Sequence, residues 1–204
     1  MDTQNFLSKV LSDDGYYCVV GFKNGIPSQK FSSTLDSVMS SASVLQQGGY
    51  DVFFALGTFL TEKRETDNIK YLKAFFLDLD CGDGKGYSTK NDAIVALKAF
   101  RKHYGLPYWT RVVSSGSGLH VYWGLEHPVS FEDWKPVANQ LKQACVDFGF
   151  QVDPAPTADG ARVLRFPGSL NHKSEPPQPT GFLGTENPLV CFDKFKSCLP
   201  ESLI

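Results

Sequence analysis

Two rhythms of apolar residues run along this chain, and they predict its elements. Helical spacing marks residues 4–11, and again 34–47, where Leu35, Val38, Met39, Ala42 and Leu45 share a stripe that Gly48-Gly49 ends. Residues 16–23 (YYCVVGFK) fit a strand, and Asn24-Gly25 signals a tight hairpin to a partner strand near 29–33. Residues 50–59 (YDVFFALGTF) form a near-continuous apolar strand, followed by a polar loop, TEKRETDN, expected to be exposed. A third strand ends at residue 80. A helix then starts at Ser88, with Asn91 or Asp92 as a competing cap, and carries Ile94, Leu97 and Phe100 inward.

The second half continues in the same way. WTRVVSS and LHVYWGL are neighbouring antiparallel strands joined by a turn at Gly116 to Gly118. Ser130 caps a long helix whose stripe is Trp134, Val137, Leu141, Ala144 and Phe148. A short strand is expected at 150–153, an irregular stretch at 154–160 and a last strand at 162–166. The proline-rich loop PGSLNHKSEPPQP is expected to be extended, and the tail adds one apolar stretch, PLVCF. Hairpins mixed with helices point to an α+β architecture rather than a doubly wound sheet.

The chemistry is concentrated at the end of KAFFLDLDCG. Alternation places Phe75, Leu77 and Leu79 on one face and Ala74, Phe76, Asp78 and Asp80 on the other. Both faces are apolar until the last residues, as in a central strand covered on both sides. Carboxylates at i and i+2, with Cα atoms roughly 6.5–7 Å apart, can converge on one cation. Two ionised acids beside a buried strand repel each other and are costly to desolvate, and a divalent ion removes that cost. Mg²⁺ suits such a site because it takes one or two protein carboxylates and leaves room for water and phosphate. Asp78 and Asp80 are therefore candidate metal ligands for phosphoryl transfer. The competing reading is a pair of solvent-facing acids at a strand end.

Three further groups belong to the argument. SSGSGLHVYW sets a Ser-Gly turn, rich in exposed backbone N–H groups and hydroxyls, beside His120. On the returning strand His120 shares a face with Tyr122, while Leu119, Val121 and Trp123 share the other. In FQVDP, Asp153 is either a turn former or a third metal ligand, with Asp159 as the competing choice. In ARVLRFPGSLNHK, strand alternation points Arg162 and Arg165 to opposite faces, so only one can look into a given site. Asn171 and Lys173 lie beyond. Such cations neutralise a triphosphate or contact a template backbone, or else guard a solvated edge strand.

Composition narrows the class. The 204 residues are 42% hydrophobic, enough for one large domain or two small lobes. A run of about 18 apolar residues, which a membrane span requires, does not occur, and the N-terminus lacks a signal-peptide pattern. Five scattered cysteines imply free thiols and a cytoplasmic setting. Cys191, Cys198 and His172 match no common zinc-finger spacing. A net charge of −2 leaves room for a local basic groove.

In their order and spacing, these pieces resemble the catalytic core of the archaeo-eukaryotic primase superfamily, in its primase-polymerase branch. FFLDLDCG resembles the first motif, SGSGLHVYW the second, and VDP with RVLRFPGSLNHK the third, and the likeness spans residues 16–173. The resemblance implies one catalytic domain over residues 1–204. An N-terminal αβ lobe of about 1–70 and an RRM-like, mostly antiparallel sheet with flanking helices over about 71–190 would enclose the site in their cleft. It implies template-directed nucleotidyl transfer, with Asp78, Asp80 and Asp153 holding Mg²⁺ or Mn²⁺. Ser115, Ser117 and His120 would contact a dNTP or NTP, with Arg165 and Lys173 assisting and Arg162 a weaker choice. DNA template and primer are the implied partners, a helicase domain or helicase partner accompanies such cores, and the chain is expected to be a catalytic fragment. The competing functions are a rolling-circle or relaxase-like endonuclease and a non-catalytic nucleic-acid-binding module. The first needs an HxH pair, which Tyr122 interrupts, and three acids oppose the second.

Overall fold

A computed structural model describes residues 2–152 and 154–201, the side chains of Pro154 and Ala155 excepted. The chain begins with α1 (Thr3–Val10), capped by Asp2, and the hairpin β1 (Tyr17–Lys23) and β2 (Ile26–Ser32). Asn24 and Gly25 both take positive φ, 53° and 78°, the turn geometry that matches strand twist. Next come α2 (Leu35–Gln47), capped by Thr34, then β3 (Asp51–Ala55) and β4 (Thr58–Phe59). A 3₁₀ turn (Thr66–Asn68) leads into β5 (Ile69–Leu79).

The second half contains α3 (Lys90–Tyr104), β6 (Arg111–Ser114), β7 (Leu119–Val129) and α4 (Phe131–Phe148). It ends with α5 (Pro154–Thr157), β8 (Val163–Arg165), β9 (Leu170–Asn171), β10 (Gln178–Pro179), β11 (Gly181–Leu183) and α6 (Phe192–Ser197). The strands form a four-stranded sheet, β2-β1-β3-β8, a five-stranded sheet, β11-β6-β7-β5-β4, and a small ribbon, β10-β9. Every pairing within them is antiparallel, so the α+β expectation holds.

The apolar run at 50–59, expected as one strand, is two. It breaks at Leu56-Gly57, where a Cβ on Gly57 would lie 2.9 Å from the Gly160 carbonyl oxygen. Before the break the chain pairs with β1 and β8; after it, β4 pairs with β5. One continuous apolar stretch thus passes from one sheet to the other. The α3 cap also differs from expectation. Thr89 accepts from the Asp92 N–H and Asp92 accepts from the Thr89 N–H, so Asp92 closes a capping box instead of starting the helix. No strand forms at 150–152, because the Phe150 N–H closes α4 by donating to the Cys145 carbonyl.

β5 is the buried axis. Its Phe75 pairs with Trp123 of β7 and packs on the helical side, with the Phe195 ring 4.6 Å away and the Trp134 ring 5.7 Å away. The Trp134 indole N–H donates to the Ala74 carbonyl at 2.9 Å. α6, which sequence periodicity did not mark, therefore plugs the main core with Phe195. On the opposite face Tyr122 meets Phe6 of α1 at 5.1 Å and Phe54 of β3 at 6.3 Å. The four-stranded sheet and α1 thus cover the face of β5 and β7 that bears Asp78 and His120. No helix among the described residues is long and apolar enough to cross a membrane.

Phe195→Ala should cost about 3 kcal/mol, at the lower end for a buried phenylalanine. The measurement is urea denaturation, and an unchanged midpoint would show that α6 only decorates the surface.

Candidate active site

Asp78 is the penultimate residue of β5, and the β5–β7 register sets it directly opposite His120. The His120 Nε2 lies 3.6 Å from the Asp78 Oδ1. His120 is only 4% exposed, and burial is the main force holding its imidazole neutral. Asp78 opposes that shift, Arg165 and Arg162 reinforce it, and Asp80 opposes it weakly. Asp78 has no hydrogen-bond donor among the described residues, although its side chain is 22% exposed. Asp80 lies just past the strand, in the turn, with its side chain 59% exposed and an Oδ2 3.7 Å from the Lys85 Nζ.

The Ser-Gly turn is pressed against this acidic tip. A Cβ on Gly118 would fall 2.5 Å from the Leu79 carbonyl oxygen and 3.4 Å from the Asp80 Cα, so only glycine permits the approach. The Gly118 N–H donates to the Ser115 Oγ at 3.2 Å, and the Ser115 N–H donates to the Gly118 carbonyl at 3.0 Å. Ser115 is therefore buried and serves the turn, whereas Ser117 is exposed at its crest. The Lys90 ammonium donates to the Ser114 hydroxyl at the root of the turn.

A polar clip ties the turn to the other sheet. Arg165 of β8 donates through Nη1 to the Asp51 Oδ1 at 2.6 Å and through Nη2 to the Asn171 Oδ1 at 2.7 Å, and it stacks over Phe53. The Asn171 Nδ2 in turn donates to the Ser115 carbonyl at 2.8 Å. The Asp51 Oδ1 also accepts from the His172 N–H at 2.8 Å. Burial works to raise the Asp51 carboxyl's pKa, but the Arg165 and His172 contacts outweigh it and hold the group below the usual carboxylate range.

β8 starts at Val163, so Arg162 precedes the strand whose alternation was expected to set it opposite Arg165. Both guanidinium charges bear on His120. Arg165 is committed to the clip. Arg162 is half-buried, its Nε has no partner, and it makes no side-chain hydrogen bond or ion pair among the described residues. Lys173 is exposed on the loop beyond. The Asp159 Oδ1 accepts from the Ala161 N–H at 3.0 Å and shapes its own turn.

Asp153 lies outside the described residues. Just before it, the Gln151 N–H donates to the Tyr87 hydroxyl, and the Tyr87 N–H donates to the Asp80 carbonyl. The chain entering position 153 is thus fastened to the acidic turn. Among the described residues no three His, Cys, Asp or Glu side chains converge on one point. His172 is taken up by Asp51, and the Cys198 thiol by the Gly105 and Lys194 carbonyls.

Sequence reasoning missed Asp51 and Arg64. Arg64 stands in the loop expected to be exposed, yet it reaches inward and donates to the Ala161 carbonyl at 2.8 Å. A carboxylate opening an otherwise apolar strand was the available signal for Asp51. Nothing local marks Arg64.

No protein-family model matches the chain. A replication protein of Clostridium perfringens is 30% identical over 133 residues, which are 64% of this chain and 32% of the relative. The matched part therefore spans about a third of that protein. The AEP domain of the cyanophage S-2L primase-polymerase superposes with a TM-score of 0.66 at 15% identity, over 91% of this chain and 90% of the other. The catalytic domain of primase RepB′, solved with initiator DNA, gives 0.61 at 12% identity over 96% and 89%. The chain has the α+β fold of archaeo-eukaryotic primase domains.

Asp51→Ala leaves a buried guanidinium short of its carboxylate and should cost about 3 kcal/mol at neutral pH. The unfolded chain takes up this proton near pH 3.9, above the folded value, so the stabilisation is complete above that pH and is lost as pH falls below it. Melting the two proteins from pH 7 to 3 should show their stability gap closing below about pH 4; a constant gap would mean that the pair contributes through packing.

Proposed function

We propose that this chain catalyses template-directed nucleotidyl transfer, as a DNA primase-polymerase acting on nucleoside triphosphates and a primed DNA strand. The observation that carries this reading is Asp78 facing His120 across β5 and β7, with the Ser-Gly turn packed on the same strand tip. The fold shared with a primase-polymerase domain, and with a primase domain bound to initiator DNA, supports it, as does the partial likeness to a replication protein.

The donor set fits a hard divalent cation. The Asp78 carboxylate has no hydrogen-bond donor among the described residues, and Asp80 is open at the tip. Asp78 and Asp80, with Asp153 as the third expected ligand, would hold Mg²⁺ or Mn²⁺. Bound there, such ions lower the pKa of an attacking 3′-hydroxyl and offset charge on the leaving pyrophosphate.

The chain's own groups supply the rest. His120, neutral and buried, can donate from Nε2 toward a phosphate oxygen without bringing a charge that needs its own solvation. The exposed hydroxyl of Ser117 and the backbone of the turn offer further donors. Arg162 has no anionic partner among the described residues, so its charge can serve a triphosphate or template phosphate, and Lys173 stands outside it. Arg165 and Ser115 hold the turn in place, each at the edge of the same cleft.

With primed template, labelled dNTPs and Mn²⁺, the wild type should extend the primer. Asp78→Ala and Asp80→Ala should each lower the rate by about a hundredfold or more. His120→Ala should reduce kcat/KM for nucleotide by about 10- to 100-fold, and because the ring is buried against the Tyr122 hydroxyl it should also lower the melting temperature. Strand nicking with a covalent protein–DNA product, or activity that survives loss of both acids, would overturn the assignment.

A further inference from the structure

Tyr122 is two residues beyond His120 on the same strand face, fully buried between Phe6 and Phe54. Such a side chain would pack equally well as phenylalanine, so its hydroxyl requires an explanation. That hydroxyl faces the His120 Nδ1 at 3.5 Å and has no other hydrogen-bond partner among the described residues. The distance is at the outer limit for such a bond, as is common in catalytic groups before substrate arrives.

The direction of the bond follows from what stands on the other side of the ring. Nε2 faces the Asp78 Oδ1 at 3.6 Å. A lone pair on Nε2 would oppose the carboxylate's negative charge, whereas a proton there is attracted to it. The neutral ring then carries its proton on Nε2 and its lone pair on Nδ1. Among the described residues the Tyr122 O–H is the group that can satisfy that lone pair, and a buried hydroxyl left unpaired would itself be costly.

We propose that Tyr122 is a positioning residue that donates to the His120 Nδ1, locks the imidazole as the Nε2–H tautomer and aims that donor past Asp78 into the cleft. The proposal deepens the nucleotidyl-transfer reading and rests on it for its kinetic consequence, though not for the tautomer itself. Tyr122 touches no substrate in this scheme. It acts through the ring that does. The same orienting contact is what metal-site and triad histidines obtain from a neighbour on their second nitrogen.

The test is nitrogen-15 NMR of the wild type and Tyr122→Phe with ¹⁵N-labelled histidine, His120→Gln serving to assign the signal among the four histidines. The wild type should show Nδ1 as an unprotonated, pyridine-type nitrogen. Tyr122→Phe should show a mixture of tautomers and about a tenfold lower kcat in primer extension, with KM for the primed template unchanged. A protonated Nδ1 in the wild type overturns the proposal whether or not the variant folds. So does a single Nε2–H tautomer, with unchanged kcat, in a folded Tyr122→Phe. A wild type without extension activity but with the expected tautomer would sink the polymerase reading and leave the positioning contact standing.

Discussion

Because β5 is covered on both faces, sliding it by one residue against β7 would drive Asp78 among the helices and bring Leu77 or Leu79 to the cleft. The hydrophobic alternation forbids that slip. Phe75, opposite Trp123, is stacked with Phe195 and Trp134, so the helical side fixes which residues can point the other way. The pairing of Asp78 with His120 is thus set by apolar packing on the face away from it. Their facing positions do not depend on their mutual attraction across 3.6 Å. A site assembled this way keeps its geometry when its charges change, which is what a centre that binds and releases charged ligands requires.

The second sheet is held to the first by two unlike contacts. Phe54 and Phe6 close over Tyr122 through non-directional apolar burial, which tolerates small displacements. The Asp51–Arg165–Asn171–Ser115 chain is directional and ends on the backbone of the turn itself. A buried ion pair of this kind adds little net stability, since desolvating both charges costs nearly what their attraction returns. Its value is specificity: a planar guanidinium gripped at both Nη atoms and stacked on Phe53 admits one arrangement of β3, β8 and the turn.

Most of the strands and helices were legible because they obey one period at a time. α2 and α4 keep a single rhythm from end to end, and β5 and β7 do so over residues 74–79 and 119–124, beyond the register shift at Leu72/Ala74. The 50–59 run failed as a single strand because both of its halves are buried, each in a different sheet, and only Gly57 marks the change. α6 escaped notice because a six-residue helix offers too little repeat to detect, although its Phe195 is central to the core. At the site, Asp78 and His120 were legible as strand-end polar residues on apolar strands. The clip that ties down the neighbouring turn was not, since Asp51 and Asn171 come from distant segments and only long-range folding brings them to Arg165 and Ser115. Arg162 and Arg165, similar in sequence, are separated by their surroundings: Arg165 is held by Asp51, Asn171 and Phe53, and Arg162 has no such partner among the described residues.

That contrast bears on what the cleft will accept. Folded chains pair the great majority of their buried polar atoms, and the exceptions gather where function outweighs stability. Here, among the described residues, a carboxylate without a donor and a half-buried guanidinium without an anion lie with a neutral buried imidazole within electrostatic reach of one another. Asp78 and Arg162 do not neutralise each other by direct contact, so a ligand of one sign would relieve one and aggravate the other. A ligand carrying both signs, an anion with a chelated divalent cation, satisfies both at once. A nucleoside triphosphate with its metal, the substrate proposed above, has that charge pattern.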